Sequence, residues 1–235
     1  MLCSASKPGV ARRAVAPLAA LLFTALLASG GMPLRARAAG SLASMTPPEP
    51  PPSLTPAQQA AAIERGKFIV AEAFSVLSSN LQSAMASGGL SNALPFCALS
   101  ASPLTASVAT RHGVALRRIT HQPRNPAARA DVVETAILDG FRAALVLGTP
   151  PPPFATNLLA GQATFFAPIV LNNARCLKCH GEAGKDIAAE SLALIQRHYP
   201  QDEATGFKLG DLRGAWRIDF PLAKLENAAK TNGTK

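Results

Sequence analysis

The chain has 235 residues, of which 48% are hydrophobic and 16% charged, with a formal net charge of +9. That length allows one ordinary domain with extensions and a sizeable core. Five of its 23 Lys and Arg fall in the first 38 residues, leaving 18 against 14 acids, a balance of +4. The basic pI is therefore largely a property of the N-terminus, and with no basic stripe interleaved with aromatics it does not point to nucleic acid.

Lys7, Arg12 and Arg13 precede an apolar run from Ala14 to Ala28, and Ala36-Arg37-Ala38 offers a small-residue cleavage site. This pattern predicts a signal peptide over residues 1–38, since the run is shorter than the ~20 apolar residues a membrane span needs. The expected location is periplasmic, with membrane anchoring only if the leader stays on. Residues 39–54 form a proline-rich linker, stiff and extended.

The domain is expected over residues 55–223. Thr55-Pro56 reads as an N-cap and first helical residue. Ile63, Val70, Phe74, Leu77 and Leu81 keep a helical stripe to about Ser87, where Gly88-Gly89 ends the helix. At ~1.5 Å per residue it would exceed about 40 Å. Either part of it projects, inviting a homodimer, or it wraps along its own domain.

A second helical stretch follows from Leu90 to Arg111, interrupted by Pro95 and Pro103 and carrying Cys97. Val114 to His121 reads as a strand, with Arg117 and Arg118 on opposite faces, and residues 123–126 as a turn. Asp131 with Glu134 forms a capping box for a helix running to Gly148. Pro150 to Pro153 form a loop, and Leu158 to Leu171 one buried strand in which Pro168 marks an edge or bulge. Asp186 is expected to cap a helix ending at His198. In the last strand Leu212, Gly214, Trp216, Ile218 and Phe220 face one way, and Arg213, Arg217 and Asp219 the other. Residues 224–235 read as a polar tail. Helices in front and strands behind make an α+β domain.

The chemistry concentrates at Cys176-Leu177-Lys178-Cys179-His180, expected on a turn. Two cysteines three apart followed by histidine is the attachment signature of a c-type haem. Two thiols add to the two vinyl groups of one porphyrin, and the adjacent imidazole reaches the iron. A thiolate zinc site would want a second ligand pair, which the mature chain lacks. A thioredoxin-like pair does not need the histidine. The expected cofactor is one covalently bound haem c, with Cys176 and Cys179 as attachment points and His180 as proximal ligand.

The sixth ligand is less direct. No methionine follows the motif, and Met85 is expected to pack along its helix. The strand beyond His180 also argues against a four-helix cytochrome of the c′ type. Cys97, left without a disulfide partner, and His112, His121 and His198 remain candidates, His198 being the strongest histidine. Arg213 is preferred over Arg217 as a contact for haem propionates.

Several motifs occur together and in order. Arg117-Arg118-Ile119-Thr120 and Arg124-Asn125-Pro126 precede the CxxCH. Tyr199-Pro200-Gln201-Asp202-Glu203-Ala204-Thr205-Gly206-Phe207 and Gly210-Asp211-Leu212-Arg213-Gly214-Ala215 follow it. From Thr55 to Pro221 the chain resembles a family of exported bacterial c-type haem domains with a PAS-like fold, found alone or as the sensing half of membrane histidine kinases. The resemblance implies a PAS-like antiparallel sheet flanked by helices, and iron held by the CxxCH histidine and by a cysteine of the upstream helix, here Cys97. Phe207 stands where the family often has Tyr, and Ala127 where it often has Asn. The expected function is a periplasmic His/Cys-ligated redox or gas sensor. Its rivals are an electron-transfer cytochrome and, further off, an enzyme acting on peroxide or nitrogen oxides. The signalling or redox partner has no signature in the chain.

Overall fold

The structure, a computed structural model, describes residues 53–225. The expected signal peptide, nearly all of the expected linker and most of the expected tail lie outside the described residues.

Helix α1 (Pro56–Leu99) opens on a reciprocal cap: the Gln58 backbone N–H donates to the Thr55 hydroxyl at 3.2 Å, and the Thr55 N–H to Gln58 Oε1 at 2.9 Å. Gly88 and Gly89 leave helical geometry, Gly89 with φ +62°, and divide α1 into a first arm and a shorter second arm. Pro95 sits inside the second arm without ending it. Ser100 then separates α1 from α2 (Ala101–His112). Pro103 lies in the first turn of α2, where its missing N–H has no intrahelical partner to lose, so it does not interrupt the helix as expected.

Four strands follow: β1 (Ala115–Ile119), β2 (Phe154–Thr156), β3 (Gln162–Val170) and β4 (Leu212–Pro221). They form one antiparallel sheet in the order β1-β4-β3-β2. The α+β class with its long N-terminal helix and helix-flanked antiparallel sheet is as expected. The single strand expected over 158–171 is instead the second half of a hairpin. Gly161, at φ +75°, turns the chain between β2 and β3. Pro168 falls where β3 has run past its pairing with β2, so the missing N–H faces no partner strand; a register shift follows at Ile169/Val170.

The sheet is covered on both faces. On one, Ala62, Ile69 and Ala73 of α1 and Val108 of α2 pack against Ala163, Phe165, Trp216, Ile218 and Phe220. On the other, α3 (Val132–Val146) buries Leu138 and Phe141 against Ile119, Phe166 and Ala215. Asp131 caps α3 as read from sequence, and Glu134 Oε2 accepts from the Asp131 N–H at 3.0 Å. Glu134 is also fully buried and ion-paired to Arg117 and Arg217. Leu225, assigned to the tail, is buried in the α1-facing core, so the fold runs past the expected boundary. Among the described residues no single helix is long and apolar enough to cross a membrane; α1 and α2 as a bent pair reach that composition, and both pack on the sheet.

Candidate functional site

The motif cysteines occupy a short helix, α4 (Ala174–His180), rather than a turn. Asn173 caps it, its Oδ1 accepting from the Arg175 N–H at 2.9 Å. One helical turn brings Cys176 and Cys179 to the same side. Asp186 does not cap α5 (Ala189–His198). Its carboxylate accepts from the Glu182 N–H at 3.0 Å and shapes the turn after His180, while Ala188 occupies the cap position without a side-chain bond.

The segment after α5 clamps this turn. The Gly206 N–H donates to Gly181 O at 2.7 Å and the Phe207 N–H to His180 O at 2.9 Å. Arg124 donates to the Cys179 carbonyl at 2.6 Å and to both carboxylate oxygens of Asp202. The Phe207 ring stands edge-on to His180 at 6.3 Å. His180 Nδ1 lies 2.8 Å from Ala204 O. A carbonyl only accepts, so Nδ1 carries the proton and Nε2 keeps its lone pair for a metal. Burial, then Arg213 and Arg124, hold the His180 pKa down to about 3, so the imidazole is neutral at physiological pH.

Cys176, Cys179 and His180 line a cavity of about 900 Å³, within the ~300–1,000 Å³ usual for small-molecule and cofactor sites. The opposite wall is α1: Phe74, Leu81 and Met85 of the first arm, Leu94 and Cys97 of the second. The first arm does extend beyond the sheet, with no buried residue between Ala73 and Ala93. Its exposed Phe74, Leu81 and Met85 line this cavity, whereas exposed Phe68 lies beside His112. Met85 does not pack along its helix as expected; it is 42% exposed and lines the cavity.

Of the four candidates for a sixth ligand, only Cys97 lines the cavity. His112 is taken by Glu72, its Nε2 2.6 Å from Oε2. His121 Nε2 lies 3.1 Å from Asp139 Oδ1, an ion-pair distance without hydrogen-bond alignment. His198, at the end of α5, is not among the lining residues. Burial and then Cys179 push the Cys97 thiol pKa up, and Arg118 and Arg124 pull against them.

The cations of this cavity come from the sheet side. β1 pairs Arg118 with Trp216 and Arg117 with Arg217, which separates them by face. Arg117 and Arg217 meet Glu134 on the α3 side. Arg118 reaches the cavity, its guanidinium 5.7 Å from the Trp216 ring centre, and no hydrogen bond among the described residues engages it. Arg118 is solvent-accessible through the cavity, yet the surrounding protein desolvates its guanidinium enough to lower its pKa. Arg213 was read on the same face as Arg217 and Asp219. The shift in register beside Ile169/Val170 turns it into the cavity instead. It donates to the Thr120 hydroxyl at 3.0 Å and Gln122 O at 3.1 Å, while its Nε is buried without a partner. Burial, then Arg124 and Arg118, bring its pKa down to about 10.

Sequence reading missed the bracing role of Arg124 and Asp202. The only trace was their presence in two short motifs, because an ion pair between distant loops leaves no periodicity. No group of three or more His, Cys, Asp or Glu among the described residues could hold a bare metal ion.

A helix-flanked antiparallel sheet with a CxxCH helix on one side of a cavity and a helical cysteine on the other defines the class. The chain belongs to the Tll0287-like family, whose model matches residues 55–221. Among solved structures it is similar to the cyanobacterial haem protein Tll0287, at 25% identity and a TM-score of 0.50, over 67% of this chain and 94% of that one. A search of curated proteins found no match.

Proposed function

We propose that this protein is an exported haem protein that senses redox state or a diatomic gas. One haem c is attached through Cys176 and Cys179, and its iron is held between His180 and Cys97. The observation that carries this reading is the joint lining of one cavity by the CxxCH helix and by Cys97, with the rival histidines His112 and His121 beside carboxylates and His198 outside the lining.

Cys176 and Cys179 would hold the haem covalently, each thiol adding its sulfur and hydrogen across one vinyl group with no electron exchanged. The apolar α1 wall suits a porphyrin face. Arg118, without an anionic partner, and Arg213, with an orphaned Nε, suit its two carboxylates, which would relieve the mutual repulsion of these cations. When bound, the haem supplies a one-electron couple and, beside a displaceable ligand, a position for a gas. His180 is kept neutral and oriented by Ala204, and Arg124 braces its loop. An anionic Cys97 sulfur favours ferric iron, setting the potential below that of a His/Met site. A haem held by both His180 and Cys97 would offer a binding position only after Cys97 is displaced, which weighs against turnover in the resting state. A periplasmic location follows from the leader pattern.

Electron transfer is the second reading. It is favoured by exposed Arg175 and Lys178 flanking the motif cysteines, a cationic rim for an acidic partner.

The test is low-temperature EPR of the ferric protein beside Cys97→Ala. A low-spin thiolate signature lost in the variant is expected; matching spectra would remove Cys97 and the sensor mechanism with it. Binding of carbon monoxide only after reduction favours the sensor, and fast electron exchange without gas binding favours the carrier.

A further inference from the structure

Met85 and Cys97 approach the same cavity from the two arms of one broken helix. They face it across Gly88-Gly89, where the backbone leaves helical geometry and where a Cβ at Gly89 would meet nothing within 4 Å. The first arm is anchored to the sheet by Ala62, Ile69 and Ala73, and only its end beyond Ala73 is not. The second arm buries Leu94 against Ile187 and Ile195, and Cys97 is carried on it. The end of the first arm has no buried residue, and Phe74, Leu81 and Met85 present an apolar face at helical spacing to the cavity. A glycine pair beside a weakly anchored helix end is a place where one arm can pivot at low cost.

The two sulfurs differ in kind. Cys97 offers an anionic thiolate, facing the charges of Arg118 and Arg124. Met85 offers a neutral, soft thioether. The anionic donor favours ferric iron, and the neutral thioether favours the more electron-rich ferrous state.

We propose that Met85 is a second axial ligand, exchanging with Cys97 when the haem iron of the proposed site is reduced by a one-electron donor. One electron enters from that donor. The Cys97 sulfur–iron bond breaks, and the sulfur leaves with its bonding pair and takes up a proton from solvent. The Met85 sulfur donates a lone pair and a new sulfur–iron bond forms. The end of the first arm, beyond Ala73, moves toward the cavity as this happens, so reduction becomes a displacement of that end. This inference rests on the haem reading above.

The full-length holoprotein, reduced with dithionite, is compared with Met85→Leu. Proton NMR of the ferrous wild type is expected to show the strongly upfield methyl resonance of a coordinated methionine, absent from the variant. Carbon monoxide should bind the ferrous variant faster by about tenfold, as removal of an internal competitor that occupies the site most of the time implies. Ferric EPR should be identical in both, since Cys97 holds that state. A ferrous wild-type spectrum without the methyl resonance, and unchanged by Met85→Leu, overturns the exchange. If that protein still carries haem with the ferric thiolate signature, the haem reading survives and only this inference fails. Loss of haem attachment from wild type would end both.

Discussion

Arg124 grips both carboxylate oxygens of Asp202, at 3.0 and 3.1 Å, and with the same guanidinium holds the carbonyl of Cys179 at 2.6 Å. One cation thus ties the loop before α3 to the segment after α5 and to the residue beside His180. The two side chains are only 11% and 6% exposed, so removing one partner strands the other charge.

Arg124→Ala should destabilise the protein by about 3–5 kcal/mol, measured by urea denaturation. Arg124→Lys should recover only part of this, because an ammonium cannot reproduce the two-pronged geometry. Equal stability of wild type and Arg124→Ala would mean the clamp is ornamental.

Gly66 faces the Phe165 ring, and a Cβ there would fall inside the ring's contact distance. Gly66→Ala should therefore cost about 1–3 kcal/mol by overpacking, although alanine is the better helix former. A rise in thermal midpoint would show that α1 can slide off the sheet without penalty.

Glu134 is fully buried between Arg117 and Arg217 on the sheet face away from the cavity. Glu134→Gln should cost about 3 kcal/mol by removing the buried carboxylate that Arg117 pairs with, although Arg217 keeps Asp219. The absorption spectrum of bound haem should not change. A spectral shift would reveal coupling through the sheet.

Glu72 has its pKa lowered by Arg111 at 2.5 Å and by His112 at 2.6 Å. A carboxylate with a depressed folded-state pKa stabilises the fold above its unfolded value, and the gain is lost as pH falls through the folded value. Wild type should lose more stability than Glu72→Gln between neutral pH and about pH 3. Parallel stability curves would contradict this. The site is exposed, so the difference should shrink with added salt.

Arg118 reaches the cavity as a cation without a hydrogen-bonded partner among the described residues. For the haem-loaded protein, Arg118→Leu should lower the midpoint potential, because a nearby positive charge favours the reduced iron. Arg118→Lys should retain most of the wild-type value. Spectroelectrochemical titration measures both, and an unchanged potential in Arg118→Leu would put that cation away from the iron.

The local features were legible because they are written in adjacent residues. The Thr55 and Asp131 caps, the break at Gly88-Gly89, the face separation of Arg117 from Arg118 and the alternation of β4 each depend on a few consecutive side chains. The misreadings have equally local causes. The β2–β3 hairpin was hidden because both arms are apolar and Gly161 alone marks the turn. Arg213 was put on the wrong face because a shift in register inverts the alternation on one side of it.

Sequence alone determined the CxxCH motif, the set of candidate ligands and the α+β class, since each follows from short-range spacing or from counting residue types. Only the tertiary structure decided which candidates meet. It brought Cys97 rather than His112, His121 or His198 to the cavity, added Met85 to its lining, and set Arg124 behind the His180 loop. Those are encounters between side chains far apart along the chain, governed by how α1 bends and where the sheet places its two faces, and no periodicity records them.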